Sequence, residues 1–173
     1  MLKIEALDVS IKSVRILRGV GFRLERGQLA GLIGRNGASK TTLMRAVVGV
    51  LPSTAGSIEF DGAPMQAVAV HVRARSVMGY MPEDRRIIPQ LTIEENVCLP
   101  AWAAGTPGYK DRLKRIYEMI PEVAALRDRK GLQLSGGQQK LAALARSLMS
   151  GTKLLLLEVV YSIDRRQVTR AAA

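Results

Sequence analysis

The side chains best suited to chemistry fall in three short stretches. The first is LAGLIGRNGASKTT, residues 29–42. An apolar run from Leu29 to Ile33 gives way to a loop with Gly34 and Gly37, with Asn36, Ala38 and Ser39 filling it. Lys40, Thr41 and Thr42 then open a helical pattern carrying Leu43, Ala46, Val47 and Val50 on one side. A buried strand, a glycine turn and a helix start form a cradle for phosphate, because helix-terminal N–H groups point at the anion. Lys40 would reach the outer phosphates, and the Thr41 hydroxyl a magnesium ion. The second stretch is LSGGQQK, residues 134–140, which sets Ser135, Gly136, Gly137 and Gln138 at another helix start. The third is LLLLEVV, residues 154–160, an apolar run interrupted by Glu158. Such a run suits a strand buried on both faces, with the acid at the end where open α/β sheets bind ligands.

The surrounding chain must position these groups. Residues 2–12 and 20–24 alternate, Val20, Phe22 and Leu24 facing inward, and predict two antiparallel strands. PSTAG at 52–56 stops the first helix, and SIEFDG predicts a strand with Ile58 and Phe60 inward, closed by an Asp61-Gly62 turn. Residues 63–76 read as a short helix, and 77–81 as a strand ended by Pro82. Thr92 followed by Glu95 is the pattern of a capping box, while Pro100, Gly105, Pro107 and Gly108 mark a loop. Leu113, Ile116, Tyr117 and Ile120 make residues 109–120 an amphipathic helix, with Pro121 ending it or starting another. In QQKLAALARSLM the inward face is Leu141, Leu144, Ala145 and Leu148, and Ser135 is placed as the cap.

Composition narrows the classes. A chain of 173 residues that is 47% hydrophobic but 4% aromatic makes one domain with an aliphatic core. No apolar stretch reaches the roughly 18 residues of a membrane span, and the N-terminus carries no signal-peptide pattern. The charge of +11 is interrupted by acids, as in DRLKRIYE, which argues against a specific nucleic-acid site. The single cysteine, Cys98, is expected to be buried and unreactive. His71, the only histidine, lacks companions at metal-ligand spacing and reads as a surface or half-buried residue.

The loop alone is also compatible with an ordinary glycine turn, but three stretches in this order are not. They resemble the ATP-binding subunit of ABC transporters, most of all the branched-chain amino acid importers. Residues 34–42 look like the Walker A loop, 134–138 like the ABC signature, 154–158 like Walker B, and GYMPEDRRIIPQLTIEENV at 79–97 like the Q-loop region. The resemblance implies an α/β P-loop NTPase fold of ABC type, with N-terminal antiparallel strands, a mostly parallel core sheet incomplete at its C-terminal side, and a helical lobe. Residues 1–160 would form a nucleotide-binding domain shortened at its C-terminus, 85–130 its helical lobe, and 161–173 a disordered tail.

It further implies ATP and Mg²⁺ as ligands. Gly34, Asn36, Gly37, Ala38, Ser39, Lys40, Thr41 and Thr42 would hold the phosphates, and Ser135, Gly136, Gly137 and Gln138 would contact ATP bound on a second ATP-binding subunit. Thr41 and Glu158 would hold the metal, with Glu158 and Glu83 acting in catalysis. The partners implied are transmembrane permease subunits and that second ATP-binding subunit. The chain would then be cytoplasmic, peripheral on the inner membrane face through its partners. Four departures from the pattern bear on hydrolysis. Ser39 stands where the family has glycine, and Glu158 where it has aspartate, displacing the carboxylate by about 1.5 Å, enough to cost about 10²-fold in rate. Val159 replaces the glutamate that polarises water, and Glu83 the Q-loop glutamine. The resemblance with these changes implies ATP binding coupled to import of branched-chain or related amino acids, with weak or absent hydrolysis; a non-hydrolysing nucleotide-binding or regulatory module, and a truncated product with no stable function, stay open. A reading with Glu158 as the catalytic acid and Leu157 at the aspartate position stays open, as does a loose echo of the interface aspartate in Asp164. The adenine-stacking aromatic is missing at Lys12 and Ser13.

Overall fold

A computed structural model describes residues 1–34, 37, 39–75 and 78–158. Asn36, Ala38, Val159, Asp164 and the expected 161–173 tail lie outside the described residues. The fold is α/β. An antiparallel sheet is built from β1 (Leu2–Ile11), β2 (Val14–Leu24), β3 (Ala55–Phe60) and β4 (Ala63–Pro64), in the order β2-β1-β3-β4. A parallel pair joins β5 (Met78–Met81) to β6 (Leu154–Leu157), with Met78 opposite Leu154 and Met81 opposite Leu157. The helices are α1 (Lys40–Val47), α2 (Val70–Arg75), α3 (Ile93–Ala104), α4 (Tyr109–Met119), α5 (Pro121–Ala125) and α6 (Gly136–Ser150).

β1 shows how its sequence sets its packing. Leu2 and Ile4 point inward, then Leu7 and Val9, so the alternation slips by one residue between them. The pairing register shifts there and Ala6 has φ 46°, a bulge that restores the inward face. Gly56, at φ 81°, lies over the bulge, where a Cβ would stand 2.2 Å from the Ala6 carbonyl oxygen. Ile58 and Phe60 are buried as the alternation demands, and Asp61 and Gly62 both take positive φ, the geometry of a tight hairpin turn. On the edge strand β2, by contrast, Phe22 is 36% exposed, because an edge has neighbours on one side only.

Two aliphatic clusters organise the molecule. The first gathers Leu2, Ile4, Leu7, Val9 and Ile58 of the sheet with Leu43, Ala46 and Val47 of α1, Met78 of β5 and Leu154 of β6. The second gathers Ile93, Val97, Cys98 and Ala101 of α3 with Ile116, Val123, and Ala142, Ala145 and Met149 of α6. Truncating a fully buried member such as Ile4 or Ile93 to alanine costs about 2–5 kcal/mol. Asn96, fully buried, satisfies itself by accepting from the Ile88 N–H at 2.8 Å and donating to the carbonyls of Ile88 and Thr92, which pins the chain entering α3.

Several expectations need correction. Residues 28–34 form no strand; Leu29 and Ile33 are almost fully exposed, since among the described residues the parallel ladder consists of β5 and β6 and the run has no strand beside it. For the same reason β6 is fully buried only at Leu154, and Leu155–Leu157 are half-buried. Residues 63–76 divide into β4 and the shorter α2. Pro100 lies inside α3 rather than in a loop, because Val97, Cys98 and Ala101 carry the buried face past it, and the helix stops at Gly105 in the left-handed region. Val50 lies beyond α1 and is exposed. α6 buries Ala142, Ala143, Ala145, Ser147 and Met149, with the leucines at 141, 144 and 148 half-buried at the cluster edge. It is covered on two sides, by α3 and by β5, and small residues face the sheet. Other expectations hold: Pro121 starts α5, one of its two readings, Cys98 is buried with its thiol pushed up to about 11 by desolvation, and His71 is exposed.

Candidate functional site

Lys40 is the first residue of α1, and its Nζ donates to the Gly34 carbonyl at 2.6 Å, closing the loop onto the helix start. The position before it is the helix cap. Ser39 stands at φ 62°, ψ 17°, left-handed backbone, and its side chain makes no capping hydrogen bond. Gly37 is also left-handed, at φ 85°. The turn therefore asks for glycine at 39, and serine pays a steric cost of about 1–2 kcal/mol there. Thr42 is buried beneath the helix start, while Lys40 and Thr41 are half-exposed.

Glu158 follows β6 directly. Its backbone N–H donates to the Met81 carbonyl at 2.9 Å, extending the parallel ladder by one rung. Each carboxylate oxygen has a donor: the Tyr80 hydroxyl on Oε1 and the Glu83 N–H on Oε2, both at 3.1 Å. Burial first, then the neighbouring carboxylate, push the Tyr80 hydroxyl up to about 12, while Arg45 of α1 acts on it in the opposite sense. Tyr80 therefore stays protonated and donates at neutral pH. Tyr80, Glu158 and the Glu83 backbone form one hydrogen-bonded group at the end of β6, and Arg45 of α1 acts on the Tyr80 hydroxyl. The Glu83 side chain itself is exposed, and it is the main chain at this position that meets Glu158.

Ser135 caps α6 as the spacing foretold. Its hydroxyl accepts from the Gln138 N–H at 3.3 Å, and Gln138 Oε1 accepts from the Ser135 N–H at 3.0 Å. Ser135, Gly136 and Gly137 are exposed, so this helix start is open to an approaching group. Arg85 lies across it: Nη1 donates to Gln139 Oε1 at 3.3 Å, and a Cβ on Gly136 would sit 3.3 Å from that nitrogen. Arg85 and Arg86 both have positive φ, and the Arg146 guanidinium of α6 donates to both of their carbonyls.

The structure thus divides the expected residues into two groups. α1, which begins at Lys40, and β5 and β6, which lead to Glu158, pack on the first cluster; Leu134, just before α6, belongs to the second. Tyr80, Arg45 and Arg146 were not singled out from sequence. Tyr80 had one signal, its place just before the Pro82 turn; the arginines bond to a hydroxyl or to main-chain carbonyls, which leave no mark in a one-dimensional pattern. Among the described residues no group of three or more His, Cys, Asp or Glu side chains could hold a metal by itself. The donors at hand, the Thr41 hydroxyl and the Glu158 carboxylate, are hard oxygens, which suits a magnesium ion that keeps water and phosphate among its ligands.

The profile of the ABC transporter family matches residues 17–158. The chain is 29% identical over 158 residues to the high-affinity branched-chain amino acid transport ATP-binding protein BraG of Pseudomonas aeruginosa, covering 91% of this chain and 68% of BraG. It is 32% identical to the lipopolysaccharide export system ATP-binding protein LptB of Escherichia coli, covering 88% of this chain and 64% of LptB. The chain thus spans about two thirds of the length of these relatives. Among solved structures, an ATP-binding subunit of an ABC transporter superposes with a TM-score of 0.78 at 24% identity, over 91% of this chain and 65% of that one. A dimeric ATP-binding cassette with ADP and Pi superposes with a TM-score of 0.80 at 23% identity, over 98% of this chain and 79% of that one. The family match over residues 17–158, on a fold shared with ATP-binding cassettes, leads to one conclusion: the chain belongs to the ABC transporter family, as an ATP-binding domain.

Proposed function

We propose that this chain binds Mg-ATP as the ATP-binding subunit of an importer of branched-chain or related amino acids, and that it hydrolyses the nucleotide slowly. The observation that carries the reading is the setting of Glu158, whose carboxylate accepts from the Tyr80 hydroxyl and the Glu83 N–H at the end of a strand that packs on the same cluster as α1. Lys40 and the N–H groups of the loop take the phosphates, helped by Gly34, Asn36, Gly37, Ala38, Ser39 and Thr42. Thr41 and Glu158 hold magnesium, which, when bound, neutralises phosphate charge. Glu158 is kept oriented by its two donors. The Val159 side chain has no atom to accept a proton or orient water, so attack on the γ-phosphate lacks its base; Glu83, whose backbone N–H meets Glu158 and whose side chain is exposed, is the carboxylate that takes part.

Ser135, Gly136, Gly137 and Gln138 follow Leu134 of the other cluster, which supports their completing the nucleotide site of a second ATP-binding subunit. Residues 85–130 form the lobe that meets transmembrane permease subunits, and these bring the chain to the inner face of the membrane. Three features support the substrate class: the likeness to BraG, the likeness at 27% identity to the probable branched-chain amino acid transport ATP-binding protein LivF of Archaeoglobus fulgidus, and the sequence of residues 79–97. LptB, at 32%, makes lipopolysaccharide export the second reading. Phosphate release by the chain is compared with that of the double variant Glu158→Asp, Val159→Glu. The expected result is little release from the first and a rise of about 10²-fold in the second; fast release from the unsubstituted chain overturns the slow-hydrolysis reading. Leucine uptake in cells supplied with this subunit separates import from export.

A further inference from the structure

Among the residues whose burial is described, Arg73 is the one buried charged side chain, at 5% exposure. Such a guanidinium ordinarily has a carboxylate beside it. Here every partner is a main-chain carbonyl. Nε donates to Val68 O at 2.9 Å, Nη1 to Ala46 O at 3.1 Å and to Val47 O at 2.9 Å, and Nη2 to Met65 O. Ala46 and Val47 are the last two residues of α1, so the charge sits on the negative pole of the helix whose other end is the candidate phosphate site. The chain leaving α1 closes over the guanidinium: Gly49 has φ 86°, and a Cβ there would stand 2.8 Å from Nε. One side chain therefore joins the end of α1, the segment after β4, and α2.

We propose that Arg73 is a positioning residue for the phosphate site, fixing the axial place and rotation of α1 from behind and so the stance of Lys40 and the helix-start N–H groups. The proposal rests on the nucleotide-binding reading above. Two features carry it past general packing. The two bonds from one nitrogen to consecutive carbonyls fix the helix in rotation as well as along its axis. A cation on those carbonyls also offsets the pole that opposes anion binding about 12 Å away, at about 1.5 Å per residue.

The test is equilibrium titration with Mg-ADP, which avoids turnover, on the full chain and on Arg73→Met, Arg73→Lys and Ile4→Val, each with its thermal melt. Arg73→Met, which keeps the stem and loses charge and donors, weakens Kd about tenfold. Arg73→Lys, which keeps the charge with fewer donors, weakens it about two- to threefold. Ile4→Val lowers Tm with Kd unchanged, as a purely structural loss does. A folded Arg73→Met chain with the Kd of the unsubstituted chain overturns the proposal alone. If that variant does not fold, an Arg73→Lys chain indistinguishable in Kd overturns it. Absence of saturable binding to the unsubstituted chain overturns the nucleotide-binding reading, and this proposal with it.

Discussion

Ser39 is the residue on which sequence and geometry meet most directly. Serine was legible there as a departure, but only the backbone shows that the position is left-handed, at φ 62°. Replacing it with glycine removes a strain of about 1–2 kcal/mol and adds about 0.5–1 kcal/mol of unfolded-state entropy. Ser39→Gly is therefore expected to stabilise the chain by about 0.5–1 kcal/mol in urea unfolding and to tighten nucleotide binding. Asp61 supplies a pH test. Lys153 first, and then the N-terminal ammonium, hold its carboxyl down at about 2, with hydrogen bonds of 2.8 and 2.7 Å. A depressed folded-state pKa contributes stability that is present above the ordinary carboxylate range and lost as pH falls through it towards about 2. Tm is expected to fall between about pH 4 and 2 in the natural chain and to fall less steeply in Asp61→Asn.

At the scale of elements, α6 against β5 is a contact sensitive to one atom. A Cβ on Gly79 would stand 2.2 Å from the Ser147 carbonyl oxygen and 2.9 Å from Gly151 Cα, both rigid backbone. Gly79→Ala is expected to cost more than about 2 kcal/mol, read as a lower urea midpoint at unchanged m. Elements that close on themselves were well marked in the sequence: the capping box at Thr92, the cap at Ser135, the Asp61-Gly62 turn, and the amphipathic α4. Elements defined by their neighbours were not. The run 29–33 has strand composition, yet a strand exists only where another ladder accepts it. Leu141, Leu144 and Leu148 have the period of an inward face, yet two packing partners on α6 bury Ala142, Ala143, Ala145 and Ser147 more deeply. Pro100 sits within α3 because the buried face beyond it outweighs one missing hydrogen bond.

Across the whole molecule, the two aliphatic clusters separate the two phosphate-type helix starts: α1 and the strands leading to Glu158 pack on one, and Leu134, just before α6, on the other. That partition explains why the motifs could be read from sequence while their support could not. Lys40, Thr41, Ser135 and Glu158 are marked by type and spacing, whereas Tyr80, Arg73, Arg146 and Asn96 act through hydroxyls and carbonyls supplied by residues distant in sequence. The account stands on α1 as a working phosphate site. Its most direct test is an equilibrium titration of the chain with Mg-ATP beside Lys40→Ala. Saturable binding at millimolar ATP or below, weakened at least about tenfold by the substitution, is the expected result; no saturation, or the same affinity in both chains, contradicts a phosphate site at α1.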